Sequence, residues 1–242
     1  TGCGKTTTLY ACINELNDAQ VKIITTEDPV EFPMEGIIQV AIKEEIGLTF
    51  AGCLRSILRQ DPDIVMVGEI RDLETCQIAV EASLTGHIVL STLHTNDAPE
   101  TMTRLLDMGV EPFLITSSID GIVAQRLVRV LCRFCREPYE PDDEELQQIG
   151  TTREALEGYT VYRKKGCPLC ESRGFRGRTG IFELLVMDDY MREMVNKHCT
   201  AIELRQEARK RGLKTLRERG IETVLKGVTT FSEIVACTDK FD

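Results

Sequence analysis

The sequence predicts an α/β fold in which a parallel sheet carries helices on its faces. Two patterns point there. Three near-continuous apolar strings, VKIITTED (21–28), DIVMVGE (63–69) and HIVLSTLH (87–94), read as buried strands. Between them FAGCLRSILRQ (50–60) and DLETCQIAVEASLTG (72–86) carry helical spacing, the second stopping at Gly86. Strands that alternate with helices are the mark of parallel pairing, because each crossover needs a connection of helical length. In such sheets ligands bind outside the carboxyl ends of the strands. Here those ends carry Glu27-Asp28, Gly68-Glu69 and Thr92-Leu93-His94.

The chain opens with TGCGKTTTLY, and Leu9, Ile13 and Leu16 then fall on one face of a helix that begins at this loop. Gly4, Lys5 and Thr6 supply the end of a G-x-x-x-x-G-K-[ST] phosphate loop. The first glycine of that pattern would lie before Thr1, so the core is expected to be cut at its front. Backbone N–H groups at a helix start cradle phosphate oxygens, Lys5 is placed to neutralise the β- and γ-phosphates, and Thr6 to ligate Mg²⁺. Such a site needs an acid on a neighbouring strand, and Glu69 ends an apolar run. TTEDPVEF (25–32) offers Glu27, Asp28 and Glu31 around a proline that turns the chain. His87 and His94 flank the third strand, seven residues apart, and are expected on opposite faces.

From about Leu131 the character changes. Ten cysteines are present, and four form two C-x-x-C pairs, Cys132/Cys135 and Cys167/Cys170. The others are scattered singly, which fits reduced thiols and a metal site better than a disulfide scaffold. Four thiolates can close tetrahedrally on Zn²⁺ with no position left for substrate, the pattern of a structural site. Between the pairs, Pro141-Asp142-Asp143 followed by Leu146 and Ile149 reads as a short surface helix. ESRGFRGRTG (171–180) is a basic cluster able to bind phosphate or nucleic acid, but Arg173, Arg176 and Arg178 are expected instead to meet acidic partners, across a subunit boundary or within the chain. After Gly180 the tail reads as mostly helical, with capping boxes at Thr200/Glu203 and Thr230/Glu233. A length of 242 residues accommodates one large domain with a satellite, and no apolar segment reaches the ~18 residues of a membrane span. No signal-peptide pattern opens the chain. A net charge of −10, with 5% aromatic residues and no Trp, argues against a nucleic-acid binder. A RecA-like nucleic-acid translocase with a zinc ribbon is the rival from another class.

In order, these pieces resemble the secretion ATPase superfamily of type II secretion and type IV pilus assembly motors. TGCGKTTTLY resembles its Walker A loop, with Cys3 where serine is more usual. IITTEDPVEF resembles its aspartate box, ILRQDPDIVMVGEIRDLET its Walker B segment and TGHIVLSTLHTN its histidine box. AQRLVRVLCRFC and GCPLCESRGFRGRTGIFELL resemble the tetracysteine region of the assembly-type members. LLDMGVEPFLITSSIDGIVAQRLVR leans toward the type II branch, with pilus assembly as the alternative. The resemblance implies a RecA-like ATPase core over residues 1–130, a zinc-binding subdomain over 131–186 and a helical subdomain over 187–242. It also implies a homo-hexameric ring on the cytoplasmic face of the inner membrane, working against a platform protein there and using ATP, Mg²⁺ and Zn²⁺. Gly2, Cys3, Gly4, Lys5, Thr6 and Thr7 would bind the nucleotide, and Glu69 would activate water. Glu27, Asp28 and Glu31 would complete the metal and water environment, and His94 would sense the γ-phosphate or couple sites. Most arginine fingers would come from a preceding domain.

Overall fold

A computed structural model describes residues 2–238, which fall into two compact units. Residues 5–122 with 186–207 form the first, and residues 2–4, 123–185 and 208–238 the second. In chain order the first unit begins α1 (Lys5–Leu16), β1 (Ile23–Glu27), β2 (Ile37–Ala41), α2 (Phe50–Leu58), β3 (Ile64–Val67) and α3 (Leu73–Leu84). It continues β4 (Ile88–Ser91), α4 (Ala98–Asp107) and α5 (Pro112–Ser118).

The four strands form one parallel sheet in the order β2-β1-β3-β4. Burial follows position: every residue of β1 and β3 is buried, whereas β2 and β4, at the edges, are only partly covered. That is why β3 reads as an unbroken apolar string, whereas β1 buries Thr25, Thr26 and Glu27 beside its two isoleucines. Register aligns Ile23 with Ile37 on one side and Ile64 on the other, and Ile64 with Ile88, so the carboxyl ends of all four strands lie at one edge. Alternation then sorts the side chains. Ile23, Ile64 and Met66 pack against Tyr10 and Ile13 of α1. The sequence placed Leu9, Ile13 and Leu16 on the buried face of α1; Ile13 is fully buried but Leu16 is exposed, and Tyr10 takes the inner position instead. Carboxylate caps set the helix starts: Asp72 accepts from Thr75 N at 2.8 Å for α3, and Asp97 from Glu100 N at 2.7 Å for α4. Both histidines lie outside the short strand β4, so the parity expected for them does not apply; His87 Nδ1 sits 2.9 Å from Ala82 O at the end of α3.

The chain continues with β5 (Gly121–Leu131), β6 (Glu137–Pro138), α6 (Asp143–Ile149), β7 (Tyr162–Arg163) and β8 (Phe175–Val186). Then come α7 (Asp189–Asn196), α8 (Ala201–Lys210), α9 (Leu216–Leu225) and α10 (Phe231–Cys237). Helix α7 belongs with the sheet unit, where Arg192 donates to Thr116 O and pairs with Asp120 at 3.1 Å. Arg205 of α8 pairs there with the buried Asp97. In the second unit β5 and β8 form a two-stranded sheet, as do β6 and β7. Its core holds Val128, Ile149, Val161, Ile181, Leu216, Val224, Phe231 and Ile234. The predicted acidic helix is α6, and its Leu146 and Ile149 are buried core residues, so only one of its faces is surface.

After β8, which runs through Gly180 to Val186, the tail is mostly helical as expected, in α7 to α10. Two sequence expectations need correction. Of the two capping boxes, Thr200/Glu203 closes both ways, but Glu233 turns away from Thr230 to pair with Arg129 at 2.5 Å; a full box forms at Thr215/Glu218 instead. Arg173 pairs with Glu171, whereas Arg176 and Arg178 have no acidic partner among the described residues. One prediction follows from the packing of α9 on α10. A Cβ at Gly220 would lie 2.5 Å from Ile234 Cγ2, so Gly220→Val should destabilise this unit by about 1–3 kcal/mol, read from a lowered melting temperature.

Candidate active site and metal centre

The phosphate-loop residues lead straight into a helix. Gly2 and Gly4 take positive φ (83° and 87°), and Lys5, Thr6 and Thr7 form the first turn of α1, whose leading N–H groups have no intrahelical acceptor. Lys5 Nζ lies 3.3 Å from Leu93 O, which ties it to the segment between β4 and His94.

Beyond the strand ends the pairing continues. Gly68 N donates to Thr26 O at 2.7 Å, Ile70 N to Thr92 O at 3.0 Å, and Thr92 Oγ1 to Gly68 O at 2.8 Å. A Cβ at Gly68 would stand 3.0 Å from Thr26 O, so glycine allows this close approach. These bonds hold Glu69 and His94 side by side, with His94 Nε2 3.0 Å from Glu69 Oε2. Arg71 pairs with the other Glu69 oxygen and also stands 3.5 Å from Asp28 and 3.8 Å from Glu44. Burial raises the pKa of the Glu69 carboxyl, but the donors on Arg71 and His94 outweigh it and hold the group below the ordinary carboxylate range.

The remaining acids divide. Asp28 is exposed and joins the Glu69 group through Arg71, while Glu31 is exposed and its carboxylate has no hydrogen-bond partner among the described residues. Glu27 is buried on the α1 side of the sheet, where Tyr10, Thr25 and Gln39 bond it. Arg71, Tyr10 and Gln39 were not singled out in the sequence. Arg71 stood in plain view, two residues beyond Glu69 in DIVMVGEIRD.

In the second unit the four cysteines converge. Their Sγ atoms lie within 4.8 Å of one another, with Cys132–Cys167 at 3.9 Å, Cys135–Cys170 at 3.8 Å and Cys167–Cys170 at 3.7 Å. Those spacings exceed a disulfide and match the ~3.8 Å edge of a tetrahedron built on Zn–S bonds of about 2.3 Å. Backbone N–H groups supply the surrounding donors: Gly166 to Cys135 Sγ at 3.3 Å, and Cys167 and Gly174 to Cys170 Sγ at 3.2 Å each. Burial pushes the Cys170 thiol up, but the Cys167 and Gly174 amides and the neighbouring thiols outweigh it and lower it, whereas at Cys135 burial prevails over the Gly166 amide and raises the thiol. The donor set therefore fits Zn²⁺.

A phosphate loop opening a helix beside a parallel sheet, with acids and a histidine at the strand ends, defines a RecA-like P-loop core. The family described as type II/IV secretion system protein matches residues 1–236, and the chain belongs to that family. Type II secretion system protein E of Pseudomonas aeruginosa is 53% identical over 238 residues, covering 98% of this chain and 47% of its own length. The type IV pilus assembly ATPase PilB of Myxococcus xanthus is 51% identical over 244 residues, covering 100% and 43%. Among solved structures, the pilus retraction motor PilT with bound ADP superposes at TM-score 0.71 with 26% identity, covering 99% of this chain and 60% of that one. The ATPase DotB of Legionella pneumophila gives 0.67 with 25% identity, covering 97% and 56%. The chain thus spans about half the length of the curated relatives it matches.

Proposed function

We propose that this chain carries the ATP-hydrolysing part of a motor that powers type II protein secretion by assembling a pseudopilus. The observation that carries the reading is the grouping of Glu69, His94 and Arg71 at the strand ends, with Lys5 bonded to the same histidine-bearing segment. Lys5 and the amides of Gly2, Cys3, Gly4 and Thr7 would hold the β- and γ-phosphates, and Thr6 would ligate Mg²⁺, which would supply charge neutralisation. Glu69 orients the attacking water. Its depressed basicity suits it to positioning water more than to taking its proton, in keeping with a loose phosphoryl-transfer transition state. His94 reports on the γ-phosphate through its bond to Glu69, and Asp28 and Glu31 shape the metal and water surroundings. Cys132, Cys135, Cys167 and Cys170 hold Zn²⁺ as a structural clamp.

The working assembly is a homo-hexameric ring that engages a platform protein at the cytoplasmic face of the inner membrane. No helix among the described residues is long and apolar enough to cross a membrane. Assembly of a type IV pilus is the second reading, favoured by the 51% identity to PilB. In the full-length protein, Lys5→Ala should lower ATP turnover at least about tenfold, because the transition-state charge loses its cation. Wild-type turnover would sink the ATPase reading. Deleting the gene decides the branch: loss of secreted enzymes marks secretion, and loss of surface pili marks pilus assembly.

A further inference from the structure

The strand-end site leaves one buried ion pair without a task. Asp97 is 4% exposed and caps α4, its Oδ1 accepting from Glu100 N at 2.7 Å. Capping needs no charge partner, since asparagine and serine cap a helix about as well as aspartate. At the start of α3 the capping Asp72 turns its second oxygen to Thr75 Oγ1 of the same turn, at 3.0 Å. Asp97 turns its second oxygen instead to the guanidinium of Arg205 on α8, 108 residues further along the chain. The side chain of Arg205 is itself only 22% exposed, so both charges are largely withdrawn from water. Such a pair is costly to bury and adds little to stability over apolar packing, whereas it fixes the two groups in one geometry.

Asp97 ends a short segment that leads back to the strand-end site, and every residue of that segment is tied. Leu93 O lies 3.3 Å from Lys5 Nζ, and His94 Nε2 lies 3.0 Å from Glu69 Oε2. Thr95 Oγ1 meets Thr101 Oγ1 at 2.7 Å, and Asn96 N donates to Glu100 Oε2 at 2.8 Å. Asp97 O accepts from Thr101 Oγ1 at 3.1 Å. The front of the segment is thus held at the site, and its back by the first turn of α4. Among the described residues Arg205 is the only cation paired with that turn's carboxylate. Three peptide units separate Asp97 from His94, a reach of at most about 10 Å, so with the residues between them bonded a shift of the carboxylate is carried to the imidazole.

We propose that Arg205 is a positioning residue: through the buried Asp97 carboxylate it fixes the segment 94–97, and with it the place of His94 beside Glu69. The proposal rests on the nucleotide reading above. It brings a residue of the C-terminal helices among the determinants of turnover, although its guanidinium bonds Asp97 and not Lys5, Glu69 or His94.

Two variants of the full-length protein test it. Arg205→Met keeps the apolar stem and removes the guanidinium, while Asp97→Asn keeps the cap of α4 and removes the charge. Each should lower kcat for ATP about tenfold, the cost of a displaced catalytic group, while the Kd of a fluorescent ATP analogue stays within about twofold. His94→Ala supplies a readout that lost packing would not move. Adding Arg205→Met to His94→Ala should slow turnover by less than about twofold, because the arginine acts through the histidine. Should Arg205→Met fail to fold, Asp97→Asn takes its place in both backgrounds. Wild-type kcat in the single variants, a full tenfold further loss on His94→Ala, or a loss carried wholly by Kd would each overturn the positioning role. Lys5→Ala in the same assay separates the two levels. An inactive Lys5→Ala beside an unimpaired Arg205→Met removes only the positioning role, whereas an active Lys5→Ala removes both.

Discussion

Glu69→Gln in the full-length protein should cut steady-state ATP turnover by about 10²-fold or more and leave ATP binding within about threefold of wild type. Glutamine matches glutamate in shape, so the bonds that extend the sheet past β3 and hold this position persist. What disappears is the charge. Arg71 and His94 lose their anion, and the water loses the acceptor that points its lone pair at phosphorus. Binding survives because it depends on the phosphate loop and Lys5, on a different element. Single-turnover kinetics beside an equilibrium binding titration check this split; equal losses in both would place Glu69 in binding. The depressed pKa adds a pH signature. A group whose folded pKa is lowered stays ionised as pH falls through its ordinary value of about 4.3, and protonates only below it. Between pH 5 and 8 the rate should therefore show no limb from Glu69. Arg71→Ala removes a donor that lowers that pKa, and should move the acid limb of the kcat profile upward.

Removing the zinc ion proposed for the four cysteines should have the second large effect, and on stability in place of chemistry. Cys170→Ser, or exhaustive chelation of the wild-type protein, should lower bound zinc from one per chain to near zero by elemental analysis. The melting temperature of the cysteine-bearing unit should fall by roughly 10 °C, as expected when a site worth several kcal/mol is lost from a domain of this size. Serine is close to Cys170 in shape and its hydroxyl still accepts from the Cys167 and Gly174 amides, so the variant removes a metal ligand with little other change. Added Zn²⁺ should restore the chelated wild type and leave the serine variant unchanged. If the melting temperature does not respond to chelation, the four thiols are packing groups.

Much of this was legible in the linear sequence, for physical reasons. β1, β3 and α1–α3 announce themselves because buried parallel strands are apolar on both faces and their crossover helices are periodic. The cysteine cluster is legible because thiolate spacing is itself the chemistry. β2 escaped notice because it is an edge strand whose Gln39 points inward, so its pattern looks like a loop after Pro33. β8 is hard to read as a strand because apolar residues occupy both of its sides: Ile181 and Leu185 are buried, Phe182, Leu184 and Val186 exposed, and a glutamate, Glu183, sits on the inner face. At the candidate site, Lys5, Glu69 and His94 are legible as candidates through motif and strand-end position. Tyr10 and Gln39 were not, since their meeting depends on which residue of β2 faces Thr25, and register is a property of two strands that neither encodes alone.

The alternation in β1 has a consequence for how this protein can change. Glu27 and Asp28 are neighbours in the chain, yet one faces a helix in the interior and the other an arginine in solvent. Deleting one residue between Val21 and Thr26 would bring the shorter aspartate to face Tyr10 and drive the glutamate into the buried place of Thr26 on the opposite face. Inserting one would leave Thr26 facing Tyr10 and move the glutamate to the exposed place of Asp28. Substitutions along β1 trade one contact for another and can be absorbed singly. A change of length displaces both carboxylates at once, so this strand should vary in letters among functional descendants and never in count.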